Sequence, residues 1–193
     1  MPDIVMQALI KKSGLDIKND FKLQYVATPV DAMQMLILRR ADHALLAEPA
    51  ISIALRKTGS FPVKLIAPDL YRSINLQEEW GRLYKIEAKI PQAGLAIIGD
   101  TNGKEELISK VLAEYDKSLA WYKNNKEEAS KLVVKTLPML EEKGLADSIE
   151  YVRFENISAI KSKKDLEFFF DILMQNDSKL IGGKLPNEDF YYK

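Results

Sequence analysis

Cysteine is absent from the 193-residue chain, and histidine occurs once, as His43. Without cysteine there is no thiolate nucleophile, no disulfide and no cysteine-ligated zinc. A single imidazole excludes a histidine-rich metal site, and a Ser-His-Asp site would have to be assembled around His43 alone. The lack of cysteine fits an exported bacterial protein that avoids stray disulfides, and many cytosolic proteins share it. Charge of one sign is not in excess either, since 28 Lys+Arg balance 28 Asp+Glu. No basic surplus exists to condense on phosphate backbones, so nucleic acid is not an expected partner. No run approaches the roughly 20 apolar residues that span a bilayer. Asp3, Lys11 and Lys12 bracket an apolar stretch too short for a signal peptide, so the chain as written is expected to remain where it is made.

What is present is an ordinary globular composition, 47% hydrophobic, with room for one medium domain or two small lobes. Pro2 and Asp3 open a helical pattern with Ile4, Val5, Ala8 and Leu9 on one side, and Gly14 ends it. Residues 22–27 alternate polar and apolar like a strand. Thr28-Pro29-Val30-Asp31 supplies an N-cap, a proline at the first helical position and an acid at the third, launching a helix through Arg40. Residues 42–47 read as a short buried strand, and Glu48-Pro49 starts a helix that stops at Gly59. Further strands are expected at 63–67 and 93–98, with an irregular stretch from Pro68 to Pro91 between them. Long helices follow over 104–124 and 126–137, then over 141–152 and 163–174, before a turn-rich tail. Strands separated by helices of this length imply a parallel sheet, hence an α/β fold. The Tyr115, Leu119 and Tyr122 stripe has helical spacing and is expected to face a core.

Several segments, in order, resemble a known family. Asp42-His43-Ala44-Leu45-Leu46-Ala47-Glu48-Pro49-Ala50 looks like a segment of type 2 periplasmic solute-binding proteins of the nitrate/sulfonate/taurine class, which serve bacterial ABC importers. Trp80 with Ile90-Pro91-Gln92-Ala93-Gly94 resembles the family's return strand into its first lobe. Ala120-Trp121-Tyr122-Lys123-Asn124 with Glu127-Glu128-Ala129 resembles the helix pair that follows, and Gly182-Gly183-Lys184-Leu185-Pro186 with Phe190-Tyr191 resembles the tail. The resemblance implies two α/β lobes, with parallel-type sheets covered by helices, joined by hinge strands around a ligand cleft. Residues 1–62 would then be most of the second lobe, and 63–193 the hinge return and the carboxy-terminal part of a first lobe incomplete at its N-terminus. It further implies capture of a small organic or oxyanionic solute, without catalysis, and delivery to a membrane permease. The full-length form would be periplasmic or lipoprotein-anchored outside the cytoplasmic membrane.

Helix N-termini suit anions, because their free amides point at the ligand. Pro2 and Asp3, Thr28, and Glu48 with Pro49 mark three such starts, and plain capping is the alternative role for each. The resemblance places the first and third near the cleft. Glu48 either satisfies amides at its helix start or faces a cationic group of the ligand. Arg72 is a candidate clamp for a carboxylate, sulfonate or phosphate, or else a surface salt bridge. Gln92 and the Gly94 amide lie at the mouth of an expected strand. Trp80 is a stacking platform or a core residue, and His43 is expected to be structural. No metal and no cofactor is called for. An enzyme of the same fold in cofactor biosynthesis, of a pyrimidine-precursor or menaquinone pathway, is the alternative function, against which stands the absence of an evident catalytic constellation. A third reading is a shortened chain that functions only when paired, for instance as a homodimer through the incomplete lobe.

Overall fold

A computed structural model describes residues 2–192; Met1, read with Pro2 and Asp3 as a helix start, lies outside the described residues. The helices are α1 (Pro2–Lys12), α2 (Pro29–Ile37), α3 (Ala50–Gly59), α4 (Leu76–Tyr84), α5 (Glu105–Asn124), α6 (Lys126–Thr136), α7 (Glu142–Ser148) and α8 (Ala159–Asn176). Short 3-10 turns cover Val63–Leu65, Ile149–Tyr151, Ser178–Ile181 and Glu188–Phe190. No β-strand occurs among the described residues. The expected α/β fold is therefore overturned, and with it the resemblance to type 2 periplasmic binding proteins, whose lobes are built on sheets.

The physical reason lies in the four runs read as strands. Residues 22–27 and 93–98 have no helical conformation, yet every one is exposed and none makes a backbone–backbone hydrogen bond among the described residues. A strand exists only through its partner, and runs of this length need at least two neighbours and a covered face. Residues 42–47 lie likewise outside any ladder, with His43 exposed. Residues 63–67 coil instead: Leu65 N–H bonds the Pro62 carbonyl, and the Ile66 and Ala67 amides bond the Val63 carbonyl. A short apolar run carries no period that separates strand from turn.

The chain forms two compact units. The first contains residues 2–25, 73–95 and 156–192, and the second residues 26–72 and 96–155, so the chain passes between them four times.

In the first unit α1, α4 and α8 enclose Val5, Leu9, Trp80, Phe169, Ile172 and Leu173. α1 forms because Asp3 and the pair Lys11 and Lys12 complement its dipole at either end, and Asp3 accepts from Gln7 Nε2 one turn on at 2.9 Å. It stops at Gly14, whose φ of +79° lies where a Cβ is disfavoured. α4 is a helix where an irregular stretch was expected. Asn75 caps it by accepting from Gln77 N–H, and Leu76, Trp80, Leu83 and Tyr84 share one face. Trp80, 1% exposed, meets Tyr84, Phe168 and Phe169 in tilted and edge-to-face contacts with ring centroids 4.7–6.0 Å apart. Its role is core packing.

In the second unit α7 packs on both α3 and α6. Small residues make this close approach: Ala54, Ala129, Ala146, Ser52, Ser130 and Ser148 are all buried. Gly144 is the tightest point, since a Cβ there would lie 2.7 Å from Ile53 Cγ1 and 2.8 Å from its Cα. The Thr28 signal folds as read. Thr28 Oγ1 accepts from Asp31 N–H, and the Asp31 carboxylate accepts from Thr28 N–H, closing a capping box on α2. α5, by contrast, buries no residue. Its Tyr115 is 39% exposed, which corrects the expected core stripe, although Tyr122 meets Phe154 edge-to-face at 5.3 Å.

Candidate functional site

The second unit carries a cavity of about 340 Å³ lined by Ser52, Leu55, Arg56, Arg72, Asp147, Glu150 and Tyr151. Two short helical faces build it. Ser52, Leu55 and Arg56 follow the i, i+3, i+4 rule on α3, and Asp147, Glu150 and Tyr151 repeat that spacing from the end of α7 into the turn after it. The Gly144–Ile53 contact sets how closely α3 and α7 approach.

Arg72 reaches this lining from the irregular segment after residue 67, and the protein fixes it from three directions. Its Nη2 donates to Glu48 Oε1 at 2.5 Å and to Ser52 Oγ at 2.8 Å. Its guanidinium carbon lies 3.5 Å from the centroid of the Tyr151 ring, a cation–π contact. The Glu48 side chain is only 9% exposed, and that of Arg72 is 32% exposed. The second Glu48 oxygen accepts from Ser52 N–H at 3.1 Å. Glu48 therefore does both things weighed for it: it satisfies an amide in the first turn of α3 and it holds a cation. That cation is Arg72 of its own chain. Because both of the guanidinium's bonds leave from Nη2, Nε and Nη1 have no protein acceptor among the described residues.

The other charges stand in pairs. Arg56 Nε is 3.3 Å from Asp147 Oδ2, with both side chains well exposed. Lys126 donates to Glu150, and that hydrogen bond holds the Glu150 carboxyl below the usual carboxylate range, so it is ionised at neutral pH.

Of the residues singled out in the sequence, Glu48 and Arg72 are brought together across 24 positions, with Pro49 beside them at the N-cap position of α3, where it makes no side-chain bond. Thr28 is in the same unit, but its side chain is engaged in the α2 capping box. Pro2, Asp3, Gln92 and Gly94 belong to the first unit. There Pro2 is exposed at the start of α1, and Asp3 is engaged by Gln7 and by the Tyr25 hydroxyl. Gln92 and Gly94 are exposed, and nothing lies within 4 Å of a Cβ built on Gly94. Sequence reasoning missed Ser52, Arg56, Asp147 and Tyr151. A signal existed for them: Glu48, Ser52 and Arg56 recur every fourth residue, as do Asp147 and Tyr151. Nothing in that spacing says the two series face each other.

No group of three or more His, Asp or Glu side chains gathers as a metal site among the described residues. No helix there is long and apolar enough to cross a membrane.

No family model matches the chain, and no curated protein and no solved structure matches it either. The assignment to ABC importers and to type 2 periplasmic binding proteins is thereby left without support, in sequence as in fold.

Proposed function

We propose that this protein is a non-catalytic binding module that takes the anionic group of a small organic solute on Arg72. The observation that carries the reading is the state of that guanidinium: fixed by Glu48, Ser52 and Tyr151, and lining a cavity with its Nε and Nη1 hydrogens unspent. A guanidinium held in one orientation has already lost the rotamer freedom that binding would otherwise cost, and its Nε–H and Nη1–H groups each remain to donate a charge-assisted hydrogen bond to a carboxylate or sulfonate. The cavity, at about 340 Å³, falls at the small end of solute sites. Capture without turnover is favoured by the lining. It contains no imidazole and no lysine, and the Ser52 hydroxyl is bonded to a guanidinium, which cannot act as a base at neutral pH.

Calorimetric titration of the full chain with butyrate, propanesulfonate and neutral butanol tests the reading. The anions are expected to bind and butanol not to bind. Arg72→Lys, which keeps the charge but loses the fixed Nε and Nη1 donors, is expected to weaken the anions by about tenfold or more. Equal affinity for butanol, or anion binding unchanged in Arg72→Lys, would contradict it.

A further inference from the structure

The cavity is not lined by positive charge alone. Alongside Arg72 and Arg56 it carries the carboxylates of Asp147 and Glu150, so two cations and two anions line one cavity. A site for a bare oxyanion excludes carboxylates, because each like charge near the ligand works against it. Here both carboxylates are part of the lining.

They are not equivalent. Glu150 is held by Lys126, which stands outside the lining. Asp147 is held by Arg56, which stands inside it, through one contact at 3.3 Å between side chains 39% and 49% exposed. An exposed pair of this kind has little net strength, so a solute can part it without a large penalty. Parting it releases a second guanidinium for an anionic group and a carboxylate for a cationic one, both within the same small cavity. A simple anion would gain from Arg56 but leave Asp147 unpaired beside it. An ammonium group on the same solute removes that mismatch.

We infer that the cavity selects small zwitterions, amino carboxylates whose carboxylate meets Arg72 and the released Arg56 while the ammonium meets Asp147. This deepens the proposal above and rests on Arg72 as the anion-holding group.

The test is calorimetric titration of the full chain with butyrate, butylamine and the ω-amino acids glycine, β-alanine, 4-aminobutyrate and 5-aminovalerate, the series leaving chain length free. The best amino acid is expected to bind about tenfold tighter than butyrate and butylamine. Asp147→Asn is expected to move the two ligand classes in opposite directions. The amino acid weakens by about tenfold, having lost its ammonium partner, while butyrate strengthens severalfold because Arg56 is freed. A variant damaged only in its fold would weaken both, and the wild-type ratio alone decides if the variant does not fold. Butyrate or butylamine binding as tightly as every amino acid would overturn the zwitterion while leaving the reading of Arg72 to its own test. Amino acids binding tightest, with Asp147→Asn changing neither ligand, would overturn the role of Asp147. No binding of any carboxylate would overturn both proposals together.

Discussion

Large rings centre the first unit, whereas small side chains set the closest helix approach in the second. Around Trp80 the first unit gathers Tyr84, Phe168 and Phe169 with Val5, Leu9, Ile172 and Leu173, an apolar centre of the kind that supplies most of a domain's stability. The second unit brings α3, α6 and α7 together through Gly144, alanines and buried serines. Small residues let helices approach closely, and Leu145 and Ile149 add buried apolar area on α7 and the turn after it. In the same unit Arg72, Arg56, Asp147 and Tyr151 line one cavity. The polar cavity thus lies in the unit packed through small side chains and not in the one centred on rings.

Trp80→Ala is expected to have the largest effect. It should cost about 3–5 kcal/mol, as truncations of buried aromatics do. Denaturant unfolding reads it, and a loss under about 1 kcal/mol would mean that the rings do not carry the first unit. Next is Gly144→Ala, where the new Cβ falls 2.8 Å from Ile53 Cα, an atom that cannot swing aside. A cost of about 1–3 kcal/mol is expected, together with weaker anion binding, because α3 and α7 line the cavity. Unchanged binding would show that their separation does not tune the site. Arg72→Ala should destabilise by about 1–3 kcal/mol, since it strips the nearly buried Glu48 carboxylate of its cation and leaves it the Ser52 amide. Adding Glu48→Gln should recover part of that loss; a double mutant worse than the sum of the singles would contradict the account.

The smallest effect is a matter of pH. Burial pushes the phenols of Tyr84 in the first unit and Tyr122 in the second above their ordinary value near 10. A phenol that holds its proton more firmly folded than unfolded leaves stability intact below that value. It lowers stability as the pH rises through the ordinary value toward the folded one. Tyr84→Phe and Tyr122→Phe should each flatten the alkaline slope of the denaturation midpoint. A slope unchanged in both would assign the alkaline loss to other groups.

How much of this was legible in the sequence follows from how local each signal is. Thr28-Pro29 with Asp31 carries its whole cap within four residues, and it folds as the spacing says. Asn75 with Leu76, Trp80, Leu83 and Tyr84 is an equally local signal for α4, obscured by the prolines at 68 and 91 that frame an irregular-looking stretch. The strands failed for a different reason. Residues 22–27 and 93–98 form no helix, but a sheet needs a second segment at the right distance, which no single run encodes. The α5 stripe failed likewise, because periodicity shows which side of a helix is apolar and not whether anything covers it. At the site, Glu48 and Arg72 could be picked out one at a time, as an acid at a helix start and an arginine beside a tyrosine. That each is the other's partner, and that Ser52 and Tyr151 complete the hold, is a tertiary fact.

The central claim is that Arg72 is the group that meets the solute's anion, and its own Nε–H resonance reports on it most directly. In a spectrum resolving the arginine side chains, titration with 4-aminobutyrate or butyrate should shift the Arg72 Nε–H signal saturably, along one isotherm with the calorimetric heat. A ligand that gives heat while leaving that signal still would place the binding elsewhere and contradict the account.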